Sequence, residues 1–295
     1  MSIFLRPAPL AEHAHVRLIA PSSPFDRARF EAGASLLAKR YRLGRGRSVL
    51  AQHGFLAGDD AERTNDLNEA LAARDVGAIV PARGGYGATR LLPSLEVAEI
   101  ARANKWLVGF SDVTALHALW ARAGLCSVHG PMVCSLPDAA PSVQAAWFQL
   151  LEGAAPAPLT GLTRVRAGRA RGRLFGGNLT VLAALVGTPY MPPLDDVVLV
   201  LEDVGERPYR LDRVLTTLQQ SGFFHGVRAV VLGQFTDCTP GPDGVTAESV
   251  LKERLGSLAV PVLANAPFGH VADNTPLLLG AEAHVDADAG RVDFF

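Results

Sequence analysis

The sequence predicts an α/β protein with an N-terminal parallel-sheet domain and a second, smaller C-terminal α/β domain. Three features carry that expectation. Short apolar runs alternate with longer amphipathic helical patterns, the βαβ rhythm that builds a parallel sheet covered on both faces. The 295 residues exceed what one hydrophobic core usually organises. The texture of the chain also changes at AAPAPLTGLT, residues 154–163, after which arginines alternate with small residues in RVRAGRARGRLFGGN. The domains are therefore expected over residues 1–153 and 164–295.

In the first half, VRLIA (residues 16–20) reads as a buried strand, FDRARFEAGASLLAKRY and DDAERTNDLNEALAAR as amphipathic helices, and GAIVPA (residues 77–82) as a second strand. The basic KRYRLGRGR, residues 39–47, reads as a solvated helix end and loop. Helix LEVAEIARANK, strand WLVGF (residues 106–110), helix DVTALHALWARAG, short strand CSVHG and helix SVQAAWFQLLEG complete this half. The second half holds strand VVLVLEDV (residues 197–204) and helix RPYRLDRVLTTLQQSG, closed by Gly222. Strand VRAVVLGQF, helix TAESVLKERLG, strand VPVLANAP and a terminal hairpin turning at DADAGR follow. Ligands of such sheets bind beyond the carboxyl ends of the strands, so the strand-to-helix turns are where chemistry is sought.

Lys and Arg number 28 against 29 Asp and Glu, a net charge of −1 that gives no general attraction to nucleic acid or anionic membrane. Neither partner is expected, and small polar or zwitterionic ligands fit better. Cys126, Cys134 and Cys238 show no CxxC spacing, which points to a reducing compartment rather than a disulfide framework or zinc knuckle. The apolar run before Arg6 is too short for a signal sequence and no stretch is long enough to span a bilayer, so a cytoplasmic location is expected. His13 and His15 form an H-x-H near the terminus, but no H-E-x-x-H or His/Cys cluster appears, and no metal site is expected.

Ser111, in LVGFSDVTALH, follows a strand and precedes a helix, the setting in which a sharp turn raises a hydroxyl above a parallel sheet. GFSDV keeps the first glycine of G-x-S-x-G and lacks the second, so two readings stand: a nucleophile, or the N-cap of a helix starting at Asp112. Taken alone, the stretch favours the cap. ARGGYGATR, residues 82–90, also follows a strand, and Gly84, Gly85 and Gly87 let backbone amides approach a ligand. Its spacing fits neither a dinucleotide fingerprint nor a P-loop, which leaves an oxyanion site or a plain turn. Strand VLEDV ends in Glu202 and Asp203, acids that are costly to bury unless paired, and residue type does not choose between them. A serine nucleophile needs an imidazole held by a carboxylate. Of eight histidines, His117 lies inside a helix, whereas His129 and His270 are expected in loops after strands and are the better bases.

IAPSSP, FLAGDDAERTNDLNEAL, ARGGYGATRLL, GFSDVTALH, HGPM, GGNLTVL, LEDVGERPYRLDRVLTTL and FGH occur in the order found in the LD-carboxypeptidases. This is the serine peptidase family that also contains the microcin C self-immunity proteins. The chain resembles that family from about Val16 to its C-terminus. The resemblance implies Ser111 as nucleophile, Glu202 as the triad acid and His270 as the base. It implies oxyanion amides around Gly85 and from Asp112, no metal or organic cofactor, and a homodimer of two-domain subunits with the triad assembled across the domain cleft. The segment after His270, VADNTPLLLG, departs from the more Gly-rich loop expected there, which bears on substrate fit rather than on the triad.

The activity so implied is hydrolysis of the amide between an L-configured centre and a terminal D-amino acid of a muropeptide, as in murein tetrapeptide recycling. An immunity-type amidase acting on peptide–nucleotide conjugates is the alternative within the same chemistry, and an aromatic content of 7% argues mildly against its base-stacking pocket. A non-catalytic small-molecule binder, with Ser111 as a cap and RGGYG as a ligand loop, is the alternative from another class. An exopeptidase must also compensate its substrate's terminal carboxylate, a task that suits the planar fork of arginine. Arg83, at the mouth of the glycine turn, and Arg207, just beyond Glu202, are the candidates. Each also has a plainer reading, Arg83 as a brace on backbone carbonyls and Arg207 as the partner of Glu206 or Asp203.

Overall fold

Apolar runs too short for helices become the strands of the first sheet. In the computed structural model, which describes residues 4–295, these are β1 (His15–Ile19), β2 (Arg42–Arg45), β3 (Val76–Pro81), β4 (Trp106–Gly109) and β5 (Ser127–His129). They lie in the order β5-β4-β3-β1-β2, every adjacent pair parallel. β4 is buried at every position and β3 at all but one, as expected of strands covered on both faces. β2 corrects the reading of KRYRLGRGR as helix end and loop: it pairs with β1 at the sheet edge, Val16 opposite Leu43. Its outer arginines find acids, Arg42 on Asp75 and Arg45 on Glu31, so a basic run is compatible with an edge strand that presents charge to water.

The helices of this unit are α1 (Arg27–Leu37), α2 (Asp60–Ala72), α3 (Val97–Ala103), α4 (Thr114–Arg122) and α5 (Pro141–Leu151). Asp26 caps α1 by accepting the Arg29 amide, and Asp59 with Glu62 forms a reciprocal capping box on α2. The buried indoles of Trp106, Trp120 and Trp147 each donate to a backbone carbonyl, of Ala8, Lys105 and Pro131 respectively, which removes the cost of burying their N–H groups.

The second sheet is built from β6 (Thr163–Arg166), β7 (Arg169–Asn178), β8 (Val197–Val204), β9 (Val227–Thr236) and β10 (Val262–Ala264), and, beyond β11 (Leu277–Leu279), from β12 (Glu282–Asp286) and β13 (Arg291–Phe294). Its order is β13-β12-β7-β8-β9-β10-β6. β7 to β10 run parallel, whereas β6, β12 and β13 are antiparallel to their neighbours. The arginine-alternating segment thus yields two strands. Along β7 the first arginines are exposed while the later positions are buried, a pattern that charge alone obscures. β12 and β13 form the expected terminal hairpin. Helices α6 (Leu179–Leu185), α7 (Pro208–Gln220) and α8 (Ala247–Gly256) complete this unit.

β11 departs from the assignment of residues 164–295 to a single domain. Thr275–Leu278 group with the first unit, and β11 lies beside β5 at the edge of the first sheet. Three buried leucines with no alternation give no strand period to read, and their backbone groups are satisfied at an edge the first half of the chain leaves open. No described helix is long and apolar enough to cross a membrane.

Gly176, in the GGN stretch of β7, has φ +142°, and a Cβ there would sit 1.9 Å from the Val200 carbonyl oxygen of β8. Backbone strain of about 1–3 kcal/mol and overpacking of about 1–3 kcal/mol should combine in Gly176→Ala. Denaturant titration is expected to show a loss of at least ~2 kcal/mol; an unchanged midpoint would contradict the close approach of β7 to β8.

Candidate active site

β4 delivers the chain to Phe110 in extended conformation, and at Ser111 the backbone turns into the left-handed region, φ +62°. Serine rarely adopts this conformation, and it persists only where the surroundings enforce it. Ser111 opens a short 3-10 segment, Ser111–Val113, that leads into α4; the cap positions of the two helical pieces belong to Phe110 and Val113. The N-cap reading of Ser111 therefore does not hold.

Three groups fix the turn from below. The Asp112 carboxylate, buried at 2% exposure, accepts the Ser22 hydroxyl at 2.7 Å and the Ala88 amide at 2.8 Å. Burial pushes its carboxyl above the usual range, and the bonds from Ser22 and Ala88 pull it back. The Gly109 carbonyl accepts the Gly130 amide at 3.1 Å and His117 Nε2–H at 2.8 Å, while His117 Nδ1 accepts the Ser127 hydroxyl at 2.8 Å. His117 is thus a satisfied core histidine, and burial lowers its pKa to about 4.

The glycine turn lies directly against this serine. A Cβ on Gly84 would stand 2.8 Å from Ser111 Cβ, 2.9 Å from its Oγ and 3.3 Å from the Asp112 amide nitrogen. Gly85 has φ +105°, and a Cβ there would meet Ser23 Oγ at 2.5 Å. Ser23 donates its amide to the Gly84 carbonyl, and its hydroxyl accepts the Tyr86 amide at 3.1 Å. Arg63 is buried on the inner face of α2. Its guanidinium donates to the Pro21 carbonyl, to the Gly87 carbonyl at 2.9 Å and to Asp60. Sequence reasoning did not single out Arg63 or Ser22. The available signal was an arginine in the buried stripe of α2, in line with Leu67 and Ala70. Arg83 is exposed and donates to the Pro24 carbonyl at 3.0 Å, the brace anticipated as its plainer role.

At the end of β8, Glu202 is fully buried and its Oε2 lies 2.7 Å from His270 Nδ1. Burial pushes the Glu202 carboxyl up, and the adjacent His270 opposes that rise. Facing a carboxylate, Nδ1 carries the proton and Nε2 is the basic nitrogen. Asp203 turns elsewhere, accepting from Asn178 Nδ2 at 2.9 Å and from the amide and hydroxyl of Thr180 at 3.0 and 2.7 Å. Geometry thus separates two acids that residue type could not. Gly269, at φ +117°, leaves room for Glu202, whose Oε2 lies 3.1 Å from where a Cβ would be. Buried Asn274 accepts the Gly269 amide at 3.0 Å and closes the loop, so VADN needs no further glycine.

His129 is not in a loop but ends β5, fully buried, its ring 5.9 Å from that of Phe110. Arg207 braces the loop after β9 through the Pro240 carbonyl at 3.0 Å and Thr239 Oγ1 at 3.3 Å, while Glu206 pairs with Arg210; the expected pairing of Arg207 with Glu206 or Asp203 is absent. Ser111, Asp112, Gly85 and Arg83 belong to the first unit, and Glu202, His270 and Arg207 to the second.

Residues 16–130 match the family model of the LD-carboxypeptidase N-terminal domain, and residues 171–285 that of the LD-carboxypeptidase C-terminal domain. The chain is 34% identical to the murein tetrapeptide carboxypeptidase of Pseudomonas aeruginosa, covering 94% of each chain. The crystal structure of muramoyltetrapeptide carboxypeptidase from Oxalobacter formigenes is similar at a TM-score of 0.85 and 29% identity, over 95% of this chain and 97% of that one. The microcin C7 self-immunity protein MccF shares the fold at a TM-score of 0.88 and 23% identity, over 98% of this chain and 97% of its own.

The support beneath Ser111 has a pH signature. An unfolded histidine titrates near ~6.5, whereas His117 in the fold titrates at about 4. Between these values the unfolded chain binds a proton that the folded one refuses, so stability falls as pH drops through that window and is unaffected above it. The loss attributable to this group approaches about 3 kcal/mol at its lower end. His117→Gln should be less stable near neutrality yet lack this component of the acid slope; identical slopes for both proteins would rule out a neutral core imidazole.

Proposed function

The chain belongs to the LD-carboxypeptidase family, and on that premise we propose that it is a serine carboxypeptidase hydrolysing the amide between an L-configured centre and a terminal D-amino acid of a murein tetrapeptide. The observation that carries the reading is the strained Ser111 turn with Gly84 pressed against its hydroxyl, an arrangement that serves no capping role. In this reading His270 Nε2 takes the Ser111 proton as Oγ attacks the carbonyl, and Glu202 holds the imidazolium that forms. The amides of Gly85 and Asp112 bind the oxyanion, being preorganised donors that need no reorientation as charge develops. Collapse expels the amino acid, which takes the proton back from His270 and leaves an acyl ester on Ser111. Water, deprotonated by the same imidazole, then releases the shortened peptide. No metal or organic cofactor enters these steps. The reading places the enzyme in the cytoplasm, as a homodimer, in peptidoglycan recycling.

Ser111→Ala tests the assignment. Loss of a triad serine lowers turnover by several orders of magnitude, whereas the fold should be retained, because alanine carries the same Cβ at the same φ and no cap is lost. Release of the terminal amino acid from free tetrapeptide, followed by mass spectrometry with an aminoacyl-nucleotide conjugate as the comparison substrate, supplies the readout. Wild-type turnover by the variant would refute the nucleophile, and cleavage of the conjugate alone would move the activity to the immunity-type amidase.

Recognition of the substrate's end is a separate matter. Arg83 and Arg207 are both exposed and each spends part of its guanidinium on a backbone carbonyl, which leaves further donors for a carboxylate. Amidating the tetrapeptide's C-terminus is expected to lower kcat/KM roughly tenfold to a hundredfold, the scale of a charged hydrogen bond of about 1.5–3 kcal/mol. Arg83→Met or Arg207→Met should erase most of that discrimination; equal cleavage of acid and amide by the wild type would show that the terminus is not read.

A further inference from the structure

The glycine turn strips three of its four positions of side chains, and the one it keeps is large and exposed. Tyr86 stands between Gly85 at φ +105° and Gly87 at φ +132°, with 48% of its surface in water. Its ring centroid lies 5.8 Å from that of Phe55, which is 64% exposed and comes from a different loop. Neither backbone is slack. Tyr86 is anchored through its amide to Ser23 Oγ, and the Phe55 loop is pinched by reciprocal bonds between His53 and Leu56 at 2.8 and 3.0 Å. Single exposed apolar residues are ordinary, but two rings in contact from separate loops, each with a hydrogen-bonded backbone, form a patch suited to a ligand.

The patch lies beside the reacting centre. Gly84 abuts Ser111 Oγ, and Tyr86 is only two residues further, within about 7 Å of chain. A carboxypeptidase substrate has two sides at that point. The leaving residue bears a carboxylate, which the negative faces of aromatic rings repel. The acyl-side residue carries no such charge beside the scissile bond, and methylene stems pack well on ring faces, where a terminal ammonium is also attracted. The geometry points to Phe55 and Tyr86 as the specificity surface for the acyl-side residue, holding a long aliphatic side chain against their rings. This assignment rests on Ser111 being the nucleophile.

The test compares tetrapeptides with lysine, norleucine or alanine on the acyl side of the scissile bond. The wild type should prefer lysine and norleucine to alanine by about tenfold or more in kcat/KM, the range that a few methylenes provide in an apolar site. Phe55→Ala and Tyr86→Ala should raise KM for the two long side chains about tenfold, with kcat held within about twofold and the alanine peptide unaffected. Tyr86→Phe, which keeps the ring, should restore the preference. An unchanged preference in both alanine variants, or an equal loss on all three peptides, would overturn the assignment while leaving the nucleophile in place. A wild type that cleaves none of the three, or one whose cleavage survives Ser111→Ala, overturns the carboxypeptidase reading and this assignment together.

Discussion

One backbone conformation organises the first unit: Ser111, a residue other than glycine, held at φ +62°. Such a conformation costs of order 1–3 kcal/mol and survives only when its neighbours leave the chain no alternative. Here the restraint comes from buried hydrogen bonds that water cannot replace. Asp112 accepts from Ser22 and from Ala88, so one carboxylate joins the loop after β1, the glycine turn and the serine turn. Removing either donor would leave part of a buried acceptor unsatisfied, at about 1–3 kcal/mol. Strain and restraint are thus of the same size, and the turn holds because several restraints act together.

The second unit solves a related problem with two adjacent acids. Successive residues of a strand face opposite sides, so Glu202 and Asp203 at the end of β8 are directed apart by the backbone itself. Asp203 serves the start of α6 through Asn178 and Thr180, whereas Glu202 meets His270. The pairing of β8 with β9 shifts register between Leu201 and Asp203, an irregularity of the kind that re-aims a side chain near functional sites. Gly269 then permits the His270 loop to pass close to the Glu202 side chain. Burial makes an unpaired Glu202 charge unfavourable, and the imidazole beside it compensates, which places the proton on His270 Nδ1.

Much of this was legible in the sequence, and what was not has identifiable causes. β3, β4 and β8 were readable because strands buried on both faces leave continuous apolar runs. β7 is hidden because the arginines at its start, all on one face, mask the small and apolar positions of the other, and β2 because its four residues begin and end in exposed arginines with no buried position between them. β11 was hidden because its partner strand lies about half the chain away, and no local period announces a three-residue strand. At the site, Ser111 is visible as a candidate, but the stretch alone favours its cap reading, since helix caps are common and a positive φ cannot be read from residue type. Asp112 was expected to contribute its amide, whereas the work of its carboxylate beneath the turn, like that of Arg63, depends on contacts between segments far apart in sequence.

That dependence also explains why the motifs are weak singly and specific together. IAPSSP supplies Pro21, Ser22 and Ser23; the start of α2 supplies Asp60 and Arg63; ARGGYGATR supplies Gly84, Tyr86, Gly87 and Ala88; and GFSD supplies Ser111 and Asp112. Arg63 bonds to Pro21 and Gly87, Ser23 to Gly84 and Tyr86, and Asp112 to Ser22 and Ala88. Each motif is therefore one side of a contact whose other side lies in another motif. A short pattern such as G-G-x-G places no demand on the rest of a sequence unless its partners are present. When the partners occur in order, they specify a single network, whose effect is to hold a half-buried serine hydroxyl against a turn that has given up its side chains.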